Sequence, residues 1–504
     1  MWVSLGLAIL AVASHRHRHF ELGIVGTIPI AIALLVATGR ENERWSPYYR
    51  VTWHDPSDAQ YVLALDGSPR LTALDLSDRG AADPFVEAAW EQYRAPYRHI
   101  AEFDTVLVLE AGTGNDAALL LERGATHIDV VEIDPVIADF GRSRHPQRPY
   151  TDPRVHLHLT DARTYLRRAT LSYDLIVIGA PMPRMLTWAT GPVPLDGYVY
   201  IRDALLAARE HLAPHGRILT YHTAGQPHSA AKAYQALRSV FGEPPQVIHW
   251  EHPPLFSHAF VAGAAAGDAP GDAMSRPELL TDVRLPSDDW PFLRLARGAL
   301  PRHYAEALTI AVGLSLLLLL AARGRAGRKG GDFEMFFLGL GLMLLTTTSM
   351  TEMSLLVGST WDVTLFVLSS ILLAILAANW LVSRRRRIAI RAVLVGLVLS
   401  LGIGFAVPLR GLADGTLWAG WLVGGVLIVA PVSLAALALA TGFRVRADSV
   451  RSLGDSVFGA AVGGVLAYAV MVTGVKALYL IAAVAYLLVW ILTERSRGPA
   501  VAVP

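Results

Sequence analysis

The amino-acid sequence predicts an α/β Rossmann-like domain with a small β-rich lead-in, inserted in a multipass α-helical membrane protein. Three observations carry that prediction. The apolar runs 106–109, 128–133 and 155–159 are strand-like, and an acid stands at or near the carboxyl end of each: Glu110, Glu132 and Asp161. Between the first run and the helical stretch 115–123 lies Gly112-Thr113-Gly114, a turn whose glycines let backbone approach a ligand at a helix N-terminus. The 504 residues are 53% hydrophobic and only 17% charged, with a mean hydropathy of +0.39, too apolar and too long for one soluble domain.

In chain order, residues 1–40 are expected to hold the N-terminal membrane segment. The run 1–13 covers only about two thirds of a ~30 Å hydrocarbon core, and no basic stretch precedes it as in a signal peptide, so it reads as a short or truncated first span. His15-Arg16-His17-Arg18-His19 reads as a basic membrane-flanking loop, not a metal site, and a full span follows near 22–38. Residues 41–300 form the soluble domain. It opens with strand-like pieces at 48–53, 61–65 and 71–76, the latter two joined by an Asp66-Gly67 turn. Beyond Asp161 come strand candidates 175–178, 218–222, 247–250 and 259–262, with helices near 200–212 and 229–241, the alternation of a mostly parallel sheet. Residues 301–504 form a C-terminal membrane domain of about seven helices, near 305–322, 334–357, 362–383, 388–408, 416–441, 455–474 and 476–493. Each is close to the ~20 residues that cross a bilayer.

Open α/β sheets bind ligands at the carboxyl ends of their strands, so Glu110, Glu132 and Asp161 are expected to converge on one crevice. Glu132 lies about 20 residues beyond the glycines, where a Rossmann-like unit places an acid on ribose hydroxyls. The alternative, an ordinary tight turn with solvated strand-end acids, is weakened by the recurrence at three successive strands. The segment 45–295 resembles the spermidine synthase-like branch of the class I S-adenosylmethionine-dependent transferases, especially its membrane-fused bacterial members. The phrases LDGYVYIRDAL at 195–205 and SDDWPFLRL at 287–295 resemble the same branch. The resemblance implies a methyltransferase/spermidine synthase-type fold, with S-adenosylmethionine or decarboxylated S-adenosylmethionine as cofactor. Gly112, Thr113 and Gly114 would hold its methionine end, Glu132 its ribose, and Asp161 would face adenine, with Glu110, Ile133 and Ala162 completing the set.

Two positions depart from that family. The strand 175–178 leads into Gly179-Ala180-Pro181-Met182-Pro183-Arg184, where the resemblance implies an acidic loop whose aspartate takes the proton of an attacking amine. No acid lies between Ile178 and Gly191, and Met182 matches the position of that base. Thr113 stands where aminopropyltransferases have an aspartate for the amino end of the decarboxylated cofactor. The candidate catalytic residues are therefore Asp196, Tyr198 and Tyr200, with Arg184 and His222 in reserve. Asp196 would replace the base and the tyrosines would line an acceptor pocket. The plainer alternative makes Asp196-Gly197 a turn and the tyrosines packing residues at a helix start. Asp288 and Asp289, just before the membrane domain, read either as a cation or polyamine site or as a linker cap with an interfacial Trp290.

Within the expected spans, Glu352 sits in the hydroxyl-rich stretch 346–354. An ionisable group at that depth costs ~2.5–3.5 kcal/mol and normally faces a partner or cavity. The following LLVGSTW at 355–361 resembles a phrase of the membrane-fused family, and Gly459, Gly463 and Gly464 suit close helix packing. If every span crosses, the arginine-bearing loops share one face, which the positive-inside rule makes cytoplasmic and which leaves the soluble domain extracytoplasmic. Synthesis of S-adenosylmethionine in the cytosol points the other way. The net charge of +1 gives no nucleic-acid signal, and the absence of cysteine excludes disulfides and thiol chemistry. The expected partners are the membrane and a small amine or lipid-proximal acceptor, with a homo-oligomer as a further expectation. The leading functional reading is a membrane-bound spermidine synthase-like transferase that uses S-adenosylmethionine or its decarboxylated form on such an acceptor. A methyltransferase and a catalytically silent cofactor or polyamine sensor coupled to a membrane transporter stand as alternatives.

Overall fold

Four strands in sequential antiparallel order form the lead-in sheet: β1 (Glu43–Trp45), β2 (Arg50–Ser57), β3 (Gln60–Leu65) and β4 (Ser68–Leu74). The β3–β4 hairpin turns on Asp66 and Gly67, both at positive φ, the backbone that an Asp-Gly turn supplies at low cost. The computed structural model describes residues 41–77, 83–100, 102–179, 197–223, 227–251, 255–263, 276–325, 331–385, 388–407 and 417–496. The spans expected in 1–40 lie outside them.

The second sheet has seven strands in the order β10-β11-β9-β8-β5-β6-β7. Its members are β5 (Thr105–Leu109), β6 (His127–Glu132), β7 (Val155–Leu159), β8 (Tyr173–Ile178), β9 (Leu212–Thr223), β10 (Gln246–His249) and β11 (Phe256–Gly263). Strands β5 to β9 run parallel, and β11 and β10 are antiparallel additions at one edge. Alternation divides each central strand between two cores. Val106, Val108, Val130 and Val177 pack on the face covered by α1 (Pro84–Arg94) and α2 (Asn115–Glu122), whereas Leu107, Leu109, Val131 and Ile178 face α5 (Arg202–Glu210) and α6 (Pro227–Phe241). The order of strands reverses between β5 and β8, so the crevice at their carboxyl ends is the topological switch point.

Three helices of the α/β region start on an aspartate N-cap that the apolar pattern alone does not announce. Asp83 caps α1, Asp134 caps α3 (Pro135–Ser143) and Asp161 caps α4 (Ala162–Leu166). In α1 and α3 a proline at the first helical position has the φ a helix needs and no N–H to leave unpaired. The expected helix at 200–212 begins later, at Arg202, and the expected strand at 218–222 extends to Leu212–Thr223, paired with β8 from Leu212 and with antiparallel β11 from Arg217 onward.

The C-terminal region is helical: α7 (Arg302–Arg325), α8 (Phe333–Val357), α9 (Trp361–Arg384), α10 (Ile390–Ala406), α11 (Leu417–Arg444), α12 (Ser449–Leu466), the short α13 (Val470–Thr473) and α14 (Lys476–Ser496). Among the described residues six helices are long and apolar enough to cross a membrane, with α12 and α13 counted as one through a 3-10 turn. The expected span at 388–408 is the 17-residue α10, which at ~1.5 Å per residue falls short of the ~30 Å hydrocarbon core. Helix α8 is central, against α11, α12 and α14. A Cβ on Gly459 would strike the Phe336 carbonyl and one on Gly463 would come within 2.6 Å of the Leu340 carbonyl, so these two glycines set the α8–α12 crossing, while Gly464 faces only Met343.

Candidate functional site

At the switch point the chain turns sharply after β5. Glu110 adopts φ 57°, Gly112 φ 58° and Gly114 φ 104°, and the turn is tied internally, the Ala111 N–H donating to the Val131 carbonyl and the Gly114 N–H to the Ala111 carbonyl, both at 3.1 Å. Gly114 is required there, since a Cβ would lie 2.7 Å from Pro149 Cγ. The Tyr150 hydroxyl donates to the Gly112 carbonyl at 2.9 Å and fixes the turn from beneath. Thr113 is buried, and its hydroxyl donates to the Thr72 carbonyl of β4 at 2.8 Å.

Glu132, 4% exposed, ties the first two strand ends together. One carboxylate oxygen accepts the Gly112 N–H at 2.8 Å and the other accepts the Asp134 N–H at 2.8 Å. Burial, then the nearby Glu110 carboxylate, pushes its pKa up to about 7. An ionised carboxylate has roughly four acceptor sites, so two remain for ligand hydroxyls. Ile133 follows half-buried, and Asp134 caps α3 while accepting the Ser46 hydroxyl of the lead-in at 2.6 Å.

Asp161 follows β7. One of its oxygens accepts the Thr164 N–H at 2.9 Å, and the other accepts the Ser359 N–H, from the turn between α8 and α9, at 3.2 Å. Ala162 is buried as the first residue of α4. Tyr48, between β1 and β2, joins these pieces: its hydroxyl meets the Trp361 backbone and the charges of Asp134, Asp161 and Asp362, and burial first of all raises its pKa to about 12. The structure therefore gathers Glu110, Gly112, Gly114, Glu132 and, through Tyr48, Asp161 at one end of the sheet.

The proposed chemical residues are placed differently. Met182, Arg184 and Asp196 lie outside the described residues. Tyr198 is buried with Ile201, Trp290 and Phe292 against Val470, Met471 and Val475 of the C-terminal helical region, and Tyr200 is buried in the sheet-side core. His222, near the end of β9, is 3% exposed, with its ring 5.3 Å from Phe260 and no hydrogen bond at either ring nitrogen among the described residues. Burial, then His258, lowers its pKa to about 3.

Asp288 braces the α/β half of the chain, and Asp289 joins it to the C-terminal helices. Asp288 pairs with Arg163 on α4 (Nη2 to Oδ2 3.2 Å), and Asp289 accepts the N–H groups of Val475, at its carbonyl, and Lys476, at its carboxylate, both at 2.8 Å. Trp290 is fully buried and its indole N–H donates to the Met471 carbonyl at 2.7 Å. The pattern of apolar spans could not reveal these contacts, although the Asp-Pro dipeptide at Asp134 and the LLVGSTW phrase were visible signals. Among the described residues no group of three or more histidine, aspartate or glutamate side chains is placed to hold a metal ion.

No family model matches the chain. Part of the chain is similar to polyamine aminopropyltransferases. It is 27% identical over 211 residues to polyamine aminopropyltransferase 1 of Streptomyces coelicolor, covering 40% of this chain and 34% of that protein. It is 24% identical over 205 residues to the Thermoplasma acidophilum polyamine aminopropyltransferase, covering 39% and 67%, and 29% identical over 140 residues to spermine synthase of Arabidopsis thaliana, covering 27% and 39%. The chain thus spans between about a third and two thirds of the length of these relatives. Among solved structures it is similar to spermidine synthase from Thermotoga maritima, with a TM-score of 0.35 and 17% identity over 53% of this chain and 88% of that one. The α/β region is spermidine synthase-like, and it is joined to helices of membrane-spanning length.

Proposed function

We propose that this chain is a membrane-bound spermidine synthase-like transferase that takes decarboxylated S-adenosylmethionine, with S-adenosylmethionine as the alternative, and acts on a small amine or a membrane-proximal acceptor. The observation that carries the proposal is Glu132, which locks the glycine turn to the end of β6 and keeps acceptor capacity for a ribose. Gly112 and Gly114 hold the backbone close, and Asp161 offers a carboxylate for an adenine amino group at the third strand end. The residues fit the adenosyl part of such a cofactor. Bound there, it would supply a sulfonium whose carbon–sulfur bond breaks as the acceptor nitrogen bonds to that carbon. The chain's share is to align the two reactants and to receive the amine's proton, for which we assign Asp196.

A second reading, a catalytically silent sensor coupled to the membrane helices, is favoured by two observations. Met182 occupies the position of the expected base, and the Thr113 hydroxyl is engaged with Thr72 where an aspartate would bind the amino end. Calorimetry on the detergent-purified protein with S-adenosylmethionine, its decarboxylated form and methylthioadenosine separates these ideas, with Glu132→Ala and Asp161→Ala as controls. Preference for the decarboxylated form together with turnover of an amine supports aminopropyl transfer; preference for the carboxylated form favours methyl transfer or sensing. Binding without turnover of any amine supports the sensor, and no binding removes the cofactor from both.

We further propose an extracytoplasmic soluble region. The ends of α7, α8, α9, α11, α12 and α14 remote from it carry Arg323, Asp332, Arg384, Arg444, Arg446, Arg451 and Arg495, and the arginine excess supports a cytoplasmic location for those ends. Cysteines introduced one at a time into this cysteine-free chain and labelled with an impermeant maleimide in intact cells test it: labelling at an exposed soluble position such as Glu210 supports the placement, and protection there with labelling near Arg495 reverses it.

A further inference from the structure

The α8–α9 turn, at the carboxyl end of the most enclosed of the six helices of membrane-spanning length, reaches the third strand end of the seven-stranded sheet. Thr164 donates its hydroxyl to the Val357 carbonyl at 2.7 Å, and Arg167 donates to the Leu355 and Leu356 carbonyls at 3.1 and 3.0 Å. Those three carbonyls belong to the last turn of α8, where a helix has no backbone donors of its own left to offer them. Thr164 of α4 and Arg167, just past its end, therefore serve as the C-terminal cap of a membrane helix. The next residue, Gly358, has φ +116° and presses on the same place: a Cβ there would lie 2.7 Å from Thr164 Oγ1 and 2.8 Å from Asp161 Cβ. The Ser359 N–H then donates to Asp161 at 3.2 Å, and beyond it the Trp361 backbone meets the Tyr48 hydroxyl.

Asp161 is thus held from two sides. The Thr164 N–H, from its own helix, takes one oxygen, and the Ser359 N–H, from the membrane region, takes the other. We propose that the turn Val357–Gly358–Ser359 is a wall of the adenine subsite and a positioning element for Asp161, so that membrane helix α8 takes part in cofactor recognition. This rests on the adenosyl reading given above. A carboxylate oriented in this way accepts the exocyclic N–H of an adenine and meets an acceptor atom when the base carries an oxo group instead. The membrane region therefore sets base selectivity, a task no residue of the soluble sheet completes alone. It also makes the end of α8 sensitive to whether the pocket is filled.

Because the chain has no cysteine, Ser359→Cys creates a unique thiol whose maleimide alkylation is followed by intact mass. Calorimetry of the same variant with methylthioadenosine runs in parallel. The expected result is protection from alkylation, half-complete at the concentration that half-saturates binding. The full-length protein is also titrated with methylthioadenosine and methylthioinosine. The unsubstituted protein should prefer the adenine compound by at least tenfold, and Gly358→Ala should lower that ratio by a comparable factor. Arg167→Met, which releases the cap while leaving both backbone hydrogen bonds to Asp161 in place, should lower it less. A Ser359→Cys protein that binds methylthioadenosine yet is alkylated at one rate with and without it overturns the inference while leaving the cofactor reading intact. Absence of any adenosyl binding in the unsubstituted protein overturns both. If Gly358→Ala fails to fold, the thiol-protection result still decides.

Discussion

Lowering the pH from 8 to 5 should weaken methylthioadenosine binding to the full-length protein about a hundredfold, and Glu132→Gln should flatten that dependence. Ribose hydroxyls donate best to an ionised carboxylate, and in the ligand-free chain burial, followed by the Glu110 charge, holds Glu132 up to about 7. Each pH unit below that value costs about tenfold in affinity, or ~1.4 kcal/mol, so pH 5 lies two decades down. Folding stability should follow the opposite course. With the folded pKa above the ordinary value of 4.5, the stability contributed by protonated Glu132 is complete below that ordinary value and is lost as pH rises through about 7. In Glu132→Gln the amide keeps only one accepting oxygen, so one of the Gly112 and Asp134 N–H groups loses its partner at a cost of about 1–3 kcal/mol. Calorimetry between pH 5 and 8 on both proteins gives the answer. A flat profile in the unsubstituted protein refutes the reasoning. A slope retained in Glu132→Gln does so too, and would pass the titration to Asp116, which burial also pushes up to about 7.

Arg163→Ala leaves Asp288 charged and buried without its guanidinium, and should destabilise the protein by about 3–5 kcal/mol, read as a lower midpoint in denaturant followed by tryptophan fluorescence. Gly114→Ala combines a left-handed backbone with a Cβ 2.7 Å from Pro149 Cγ, and should cost about 1–3 kcal/mol together with at least a tenfold loss of methylthioadenosine affinity by calorimetry. Asp129 pays for its burial with hydrogen bonds from His158, Tyr173 and His127 that hold its pKa below the usual range. That stability is present above the ordinary carboxylate value and lost as pH falls through the lowered one, so Asp129→Asn should be less stable than the parent at pH 7, with the gap closing in strong acid, as measured by thermal unfolding.

Much of this architecture was legible in the sequence because apolar periodicity and strand-end chemistry are local properties. The runs at 106–109, 128–133 and 155–159 became β5, β6 and β7 with shifts of a residue at their ends, and Gly112, Gly114 and Glu132 fell at one crevice. Helices α1, α3 and α4 were not foreseen, because each is started by a capping aspartate instead of a long apolar stripe. The partners of Asp161 were equally hidden: Ser359 stands 198 positions away, and no local pattern encodes such a contact. The same limit applies to Asp288 and Asp289, whose adjacent charges suggested a cation site but whose partners are Arg163 and the backbone of the α13–α14 turn. Tyr198 and Tyr200 were assigned from their place after the altered loop, and a position in sequence does not reveal which side of a helix start faces the core.

Because Trp290 is fully enclosed only when Met471 and its neighbours cover it, the soluble half is not a separable module. An excised fragment ending near residue 300 would expose Tyr198, Ile201, Trp290 and Phe292 as a greasy scar. It would also leave the crevice one wall short, since Gly358 and Ser359 would be gone. Silence from such a fragment in a solution assay would describe the cut and not the whole protein.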